Sequence, residues 1–119
     1  MLIIPIAPIT KKNSQQIVKG KNGRRIIIPS KAYKEYEKDA MRFLKPLGID
    51  YAVNVKCLFY MPTNRRVDLT NLLEAIDDVM VKADTIKDDN CLIVAGHDGS
   101  RVYVDKEYPR TEIYFEEIE

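Results

Sequence analysis

Apolar residues recur along this chain with two different periods, and the switches between the periods lay out its elements. The opening "LIIPIAP" is a short apolar strand candidate, and "NSQQIVKGKNGRRIIIPS" reads as two strands about the turn Lys21-Asn22-Gly23, where Asn-Gly favours the positive φ of a hairpin. Ser30 is placed to cap a helix running to about Lys45. Its apolar positions Tyr33, Tyr36, Ala40, Phe43, Leu44 and Leu47 keep helical spacing, and Pro46 with Gly48 marks the stop. From Tyr51 to Met61 the period falls to two, with Val53, Val55, Cys57, Phe59 and Met61 on one face of a half-buried strand. Helical spacing returns from about Leu69 to Ala83, where Leu69, Leu72, Leu73, Ile76, Val79, Met80 and Ala83 form a buried stripe. "CLIVA" reads as a further strand, Asp98-Gly99 as a turn, and "TEIYFEEI" as a last strand with Thr111, Ile113 and Phe115 on one face. The sum predicts an α+β fold, a single domain over residues 1–119 with a mixed β-sheet and two principal α-helices packed on it.

Length and composition narrow the setting. A chain of 119 residues suits one core, and no apolar run approaches the roughly 18 residues of a membrane span. "MLIIPIAPI" lacks a basic stretch before it and is broken by Pro5 and Pro8, so no secretory leader is expected. Cys57 and Cys91 lie in apolar, strand-like contexts without metal-ligand spacing, which predicts buried free thiols in a reducing cytosol. The formal net charge of +1 conceals a division: residues 1–66 carry 14 Lys and Arg against 4 Asp and Glu, and residues 67–119 carry 5 against 14. A basic half suits a polyanion and an acidic half suits cations, although the same numbers describe surface charge that mixes in space once folded.

The acid is concentrated in "RRVDLTNLLEAIDDVMVKADTIKDDN", which holds Asp68, Glu74, Asp77, Asp78, Asp84, Asp88 and Asp89. At about 100° per residue, the face opposite the leucines presents Asn71, Glu74, Asp78 and Lys82, with Asp68 at its N-terminal edge. Asp77 lies nearer the apolar boundary and is the poorer candidate. Hard divalent cations such as Mg²⁺ take oxygen ligands, often one or two carboxylates with water and substrate phosphate, so this stretch has material for a metal site. It can equally be read as structure alone: Asp68 as an N-cap, Asn71 and Glu74 at capping-box spacing, Asp88-Asp89 as a polar turn. On the first helix Lys31, Lys34, Lys38, Arg42 and Lys45 form a basic stripe, either a phosphate track or a solvated face. His97, beside its turn, reads as structural or solvated. Tyr33, Tyr36, Tyr51 and Tyr60 read as core or half-buried sheet residues.

"RRVDLTNLLEAIDDVMVKADTIKDDNCLIV" resembles the signature of the RusA-type Holliday-junction resolvases, the crossover junction endodeoxyribonucleases. In that family an Arg-rich approach leads into Asp-Leu-Asp-Asn-Leu at a helix start, and an Asp-Asp pair follows later. "PIAPITKKNS" is similar to the family's opening strand and basic loop, and "PRTEIYF" to its last strand. The resemblance implies metal-binding roles for Asp68 and Asp89, with Asp78 and Asp88 at acidic positions common in the family. Two positions depart from the pattern: the second motif Asp is Thr70, and the helix Lys of the better-known members is Glu74. A hydroxyl is a far weaker Mg²⁺ ligand than a carboxylate, so the expectation is that Glu74 supplies the missing ligand beside Asp68 and Asp89. The resemblance further implies a homodimer that uses Mg²⁺ or Mn²⁺ to make paired, symmetric nicks in four-way DNA, in a bacterial or phage cytosol. Lys11, Lys12, Asn13, Arg24, Arg25, Arg65 and Arg66 are the expected DNA contacts, and Lys11, Lys12, Arg65 and Arg66 the candidates for the missing cation. The alternatives are a non-catalytic branched-DNA-binding module of the same fold and a protein-interaction domain built on the acidic helix.

Overall fold

The strand β4 (Val53–Met61) organises the domain, because its alternation gives it one wholly apolar face. Val53, Val55, Cys57 and Phe59 are buried, and Asn54, Lys56, Leu58 and Tyr60 are half-buried on the opposite face. The computed structural model describes residues 1–11 and 15–119, side chains excepted at 15–18, 27 and 29. In it β7 (Arg110–Glu117) runs antiparallel along β4, and β1 (Leu2–Ile4) runs antiparallel to β7. The registers set Ile113 beside both Cys57 and Leu2, and Thr111 beside both Phe59 and Ile4, so buried residues line up in rows across three strands. Since β7 occupies one side of β4, the other side takes two short parallel strands in succession. These are β5 (Val94–Gly96), beside Val53 and Asn54, and β6 (Arg101–Val104), beside Leu58 to Met61. The sheet is therefore mixed, as predicted.

Two helices share one core with its apolar face. α1 (Lys31–Met41) begins where Ser30 accepts the Tyr33 N–H at 3.1 Å, and it buries Tyr33, Tyr36 and Ala40. α2 (Leu69–Lys82) buries Leu72, Ala75, Ile76, Val79 and Met80. Between the helices Lys82 reaches Glu37 at 2.7 Å. α2 ends in a reversal that satisfies its last carbonyls: the Asp84 N–H donates to Val81 at 3.1 Å and the Thr85 N–H to Met80 at 2.9 Å. Asp84 takes the left-handed conformation this requires, at φ 58°, which Asp tolerates better than most residues. The chain then bridges Ile86 to Ile49 with Thr85 and Ile86 buried, which pins the segment leading to Asp88 and Asp89.

The hairpin β2 (Gln15–Lys19) and β3 (Arg25–Pro29) forms a second sheet of its own instead of joining the first. Its turn has the expected positive φ at Asn22 and Gly23, 69° and 71°. α1 stops at Met41, short of Lys45, because the N–H groups of Arg42, Phe43 and Leu44 donate to carbonyls three residues back and tighten the turn. That breaks the helical register, leaving Leu44 buried but Phe43 and Leu47 exposed. Only the end of "CLIVA" is a strand. The Asn90 side chain accepts the Leu92 N–H at 2.9 Å and its carbonyl accepts the Ile93 N–H at 3.0 Å, folding Cys91 to Ile93 into a turn. Cys91 is consequently exposed, whereas Cys57 is buried as expected and its thiol is pushed up by burial. Tyr51 is exposed too, and β6, exposed along its whole length, carried no period to announce it.

Candidate functional site

Asp68 occupies the N-cap position of α2 without capping it. Its main-chain carbonyl accepts the N–H groups of Asn71 and Leu72, but its carboxylate bonds no helix N–H and receives the Asn71 amide at 3.4 Å. An exposed carboxylate therefore stands at the positive end of the helix dipole, available to a cation or to a donor on a substrate. Immediately before it, exposed Arg65 and Arg66 join Pro8, Ile9, Thr10 and Pro62 to line a groove of about 350 Å³. Val67 lines the same groove next to Asp68.

Further along α2 the carboxylates diverge. Asp78 is paired with Lys11, whose ammonium also lies 5.8 Å from the centre of the Tyr33 ring. Lys11, expected to contact DNA, thus fastens the N-terminal segment to both helices. Glu74 is exposed on the polar face, and Thr70 is exposed one turn before it. Asp77 turns toward the sheet, where its Oδ2 lies 2.9 Å from His97 Nε2, while His97 Nδ1 lies 2.7 Å from the Val55 carbonyl. Burial alone would push the imidazole down, but the Asp77 carboxylate and the Val55 carbonyl outweigh it and hold His97 above its ordinary value. Sequence reasoning undervalued both residues. The signal was a carboxylate at the apolar edge of α2, which needs a partner, in a chain with one histidine.

The turn after α2 separates the roles of its two aspartates. Both Asp88 oxygens serve the turn, one accepting the Asp89 N–H at 2.7 Å and the other the Asn90 amide at 2.9 Å, and these bonds hold Asp88 below the usual carboxylate range. Although exposed, Asp89 is pushed up, by the partial loss of water around its carboxyl, by its hydrogen bond with Asp88, and by the negative charges of Asp77 and Asp88. A cation at this turn would relieve that repulsion. Among the described residues no three His, Cys, Asp or Glu side chains gather into a group that could hold a metal ion. The donors present, all carboxylate oxygens, fit an ion such as Mg²⁺ that is held by one or two carboxylates with water and phosphate, and do not form an all-protein cage. Of the expected DNA contacts, Arg24 and Arg25 are exposed at the end of the β2–β3 turn, and Lys12 and Asn13 lie outside the described residues. The stripe Lys31, Lys34, Lys38, Arg42 and Lys45 is exposed throughout.

Fold and site together define an α+β domain whose acidic helix is entered from an arginine-lined groove. The family model for endodeoxyribonuclease RusA matches residues 5–116, and the chain belongs to that family. A crossover junction endodeoxyribonuclease RusA of Aquifex aeolicus (strain VF5) is 39% identical over 60 residues, which make up 50% of this chain and 47% of that relative. The aligned region thus spans about half the length of the relative it matches. Among the described residues no helix is long and apolar enough to cross a membrane.

Proposed function

We propose that the protein is a metal-dependent endodeoxyribonuclease that resolves four-way DNA junctions, cutting two symmetry-related strands as a homodimer in a bacterial or phage cytosol. The observation that carries this reading is Asp68: an exposed carboxylate not engaged in capping, at the start of α2 beside the groove of Arg65 and Arg66. Guanidinium groups hold phosphates in a fixed orientation, so a backbone seated in the groove presents a neighbouring phosphodiester to the start of α2. Mg²⁺ or Mn²⁺ would be held by Asp68 and Asp89 with water and substrate phosphate, and Glu74, in place of the carboxylate lost at Thr70, would act on the ion through one of its waters. When bound, the ion supplies positive charge at the phosphoryl oxygens and lowers the pKa of an attacking water. Asp88 orders the turn under Asp89, and the Lys11–Asp78 pair holds the wall of the groove against α2. A two-fold dimer would set two such sites across a two-fold junction. The family name and the relative's name support a nuclease acting on crossover junctions.

Binding and cleavage are tested separately. In gel-shift competition the protein is expected to prefer a four-way junction to a linear duplex of equal length. Arg65→Ala and Arg66→Ala should each weaken binding to both and reduce the slope of log affinity against log salt by about 1. Equal affinity for junction and duplex, with an unchanged slope in the variants, would contradict the reading. Glu74→Gln is expected to lower metal-dependent nicking about tenfold or more and to weaken Mn²⁺ binding. Unchanged nicking would remove Glu74 from the site.

A further inference from the structure

We infer that His97 and Asp77 are positioning residues whose bridge locks the middle of α2 to β4 and thereby sets where the α2 carboxylates stand relative to the Asp88–Asp89 turn. The inference rests on the reading of Asp68 and Asp89 as one metal site, and it concerns two residues that lie outside that ligand set.

The bridge sits at a gap in the sheet. β5 pairs with β4 at Val53 and Asn54, and β6 takes over only at Leu58, so among the described residues no strand lies beside the edge of β4 between them. Backbone polar groups left there need other partners. The loop between β5 and β6 supplies them from side chains: His97 Nδ1 meets the Val55 carbonyl at 2.7 Å, and Ser100 Oγ accepts the Cys57 N–H at 3.0 Å. His97 then continues to Asp77 of α2. The two side chains are only 20% and 13% exposed, so water is a poor substitute for either bond.

Both ring nitrogens face acceptors. A neutral imidazole carries one N–H, so filling both bonds needs two protons in the pair, as imidazolium with carboxylate or as imidazole with carboxylic acid. In either form the ring is fixed at both ends, and α2 cannot slide along β4 without breaking a buried hydrogen bond. The other Asp77 oxygen, Oδ1, is buried without a hydrogen-bond partner among the described residues, and the acidic turn hangs on the same strand: the Asn90 carbonyl accepts the Val94 N–H at 2.9 Å, and the Ile93 carbonyl accepts the Val53 N–H of β4 at 2.8 Å. Helix and turn are therefore both fastened to β4, the helix through Asp77. Displacement of a site by about 1 Å costs on the order of a hundredfold in rate, so a fastening at this meeting point is enough to control the chemistry without touching substrate.

A positioning role and a charge role for Asp77 are separable. In Asp77→Asn a neutral His97 still donates Nδ1–H to Val55 and accepts the new amide at Nε2, so the bridge survives while the charge is lost. His97→Phe removes the bridge and keeps the Asp77 carboxylate. The experiment uses the full chain and measures single-turnover nicking of a four-way junction at saturating protein, and separately the affinity for Mn²⁺ alone, at temperatures where circular dichroism shows each variant folded. Asp77→Asn is expected to stay within about threefold of wild type in both, and His97→Phe to lose about ten- to a hundredfold in both with junction affinity unchanged. Should His97→Phe not fold, His97→Asn, whose amide nitrogen stands where Nδ1 stood and so keeps the bond to Val55 while releasing Asp77, is expected to show the same direction of change. Loss in Asp77→Asn as complete as in Asp68→Asn would overturn the inference, because the Asp77 charge would then be acting directly. Wild-type nicking and Mn²⁺ affinity in the folded His97 variants would overturn it too, leaving the bridge a purely structural contact. If the wild type binds Mn²⁺ but cuts no junction, the proposed activity fails and the Mn²⁺ comparison still decides the inference. If it binds no Mn²⁺, both fail.

Discussion

Asp68→Asn and Asp89→Asn are each expected to lower strand cleavage by about a hundred- to a thousandfold while leaving the fold and junction binding close to wild type. The change is nearly isosteric and removes one negative charge. At Asp68 it carries little structural cost: the carboxylate is exposed, makes no cap bond to a helix N–H, and Asn is an equally good residue at an N-cap. At Asp89 the side chain is exposed and the turn is held by Asp88 and Asn90. A loss of nicking with an unchanged melting temperature would therefore be a loss of chemistry. Full cleavage by either variant would place its carboxylate outside the site. Asp88→Asn is a useful contrast, since that residue orders the turn through its own hydrogen bonds.

The second large effect is on stability. Phe59→Ala is expected to cost about 3–5 kcal/mol, measured as the free energy of unfolding in urea, because the ring is fully enclosed and the sheet around it cannot collapse into the space. Phe59 is 1% exposed, sits beside Thr111 in the ladder, and belongs to the core that both helices share. Such a loss is a large fraction of the roughly 5–15 kcal/mol that stabilises a domain of this size. Tyr51→Ala, at a position 49% exposed, should change stability by about 0.5 kcal/mol or less. Similar effects at the two positions would mean that β4 is not the centre of the core.

The contrast between Phe59 and Tyr51 shows where the sequence was legible. β4 and α2 are long and keep one period without interruption, so their burial follows directly from spacing, and both appear within a residue or two of their expected bounds. Features decided by single hydrogen bonds were not legible. Three residues at the end of α1 change from bonds four apart to bonds three apart and carry Phe43 and Leu47 into solvent. One Asn90 side chain turns "CLI" from strand into turn. β6 gave no signal because no face of it is buried, and it is held as a strand by its ladder to β4.

The same division runs through the site. The proposed ligands Asp68 and Asp89 and the arginines before the helix stand out in the sequence because they lie in one contiguous motif. The Lys11–Asp78 pair joins residues 67 apart, and the Asp77–His97 pair joins residues 20 apart on different elements, so neither has a local pattern. The outcome is a sharper assignment within the acidic stretch. Asp68 and Asp89 remain the proposed ligands, Asp88 orders a turn, Asp78 anchors a lysine, and Asp77 fastens the helix to the sheet.

The most direct test of the central claim is to incubate the wild-type protein with a synthetic four-way junction, labelled on each strand in turn, with Mg²⁺, with Mn²⁺ and with chelator. Paired nicks at symmetry-related positions, seen with either metal and absent with chelator or on linear duplex, are the result this account expects. Tight junction binding with no cleavage under either metal would contradict it, and would make the protein a junction-binding relative whose changes at Thr70 and Glu74 removed catalysis.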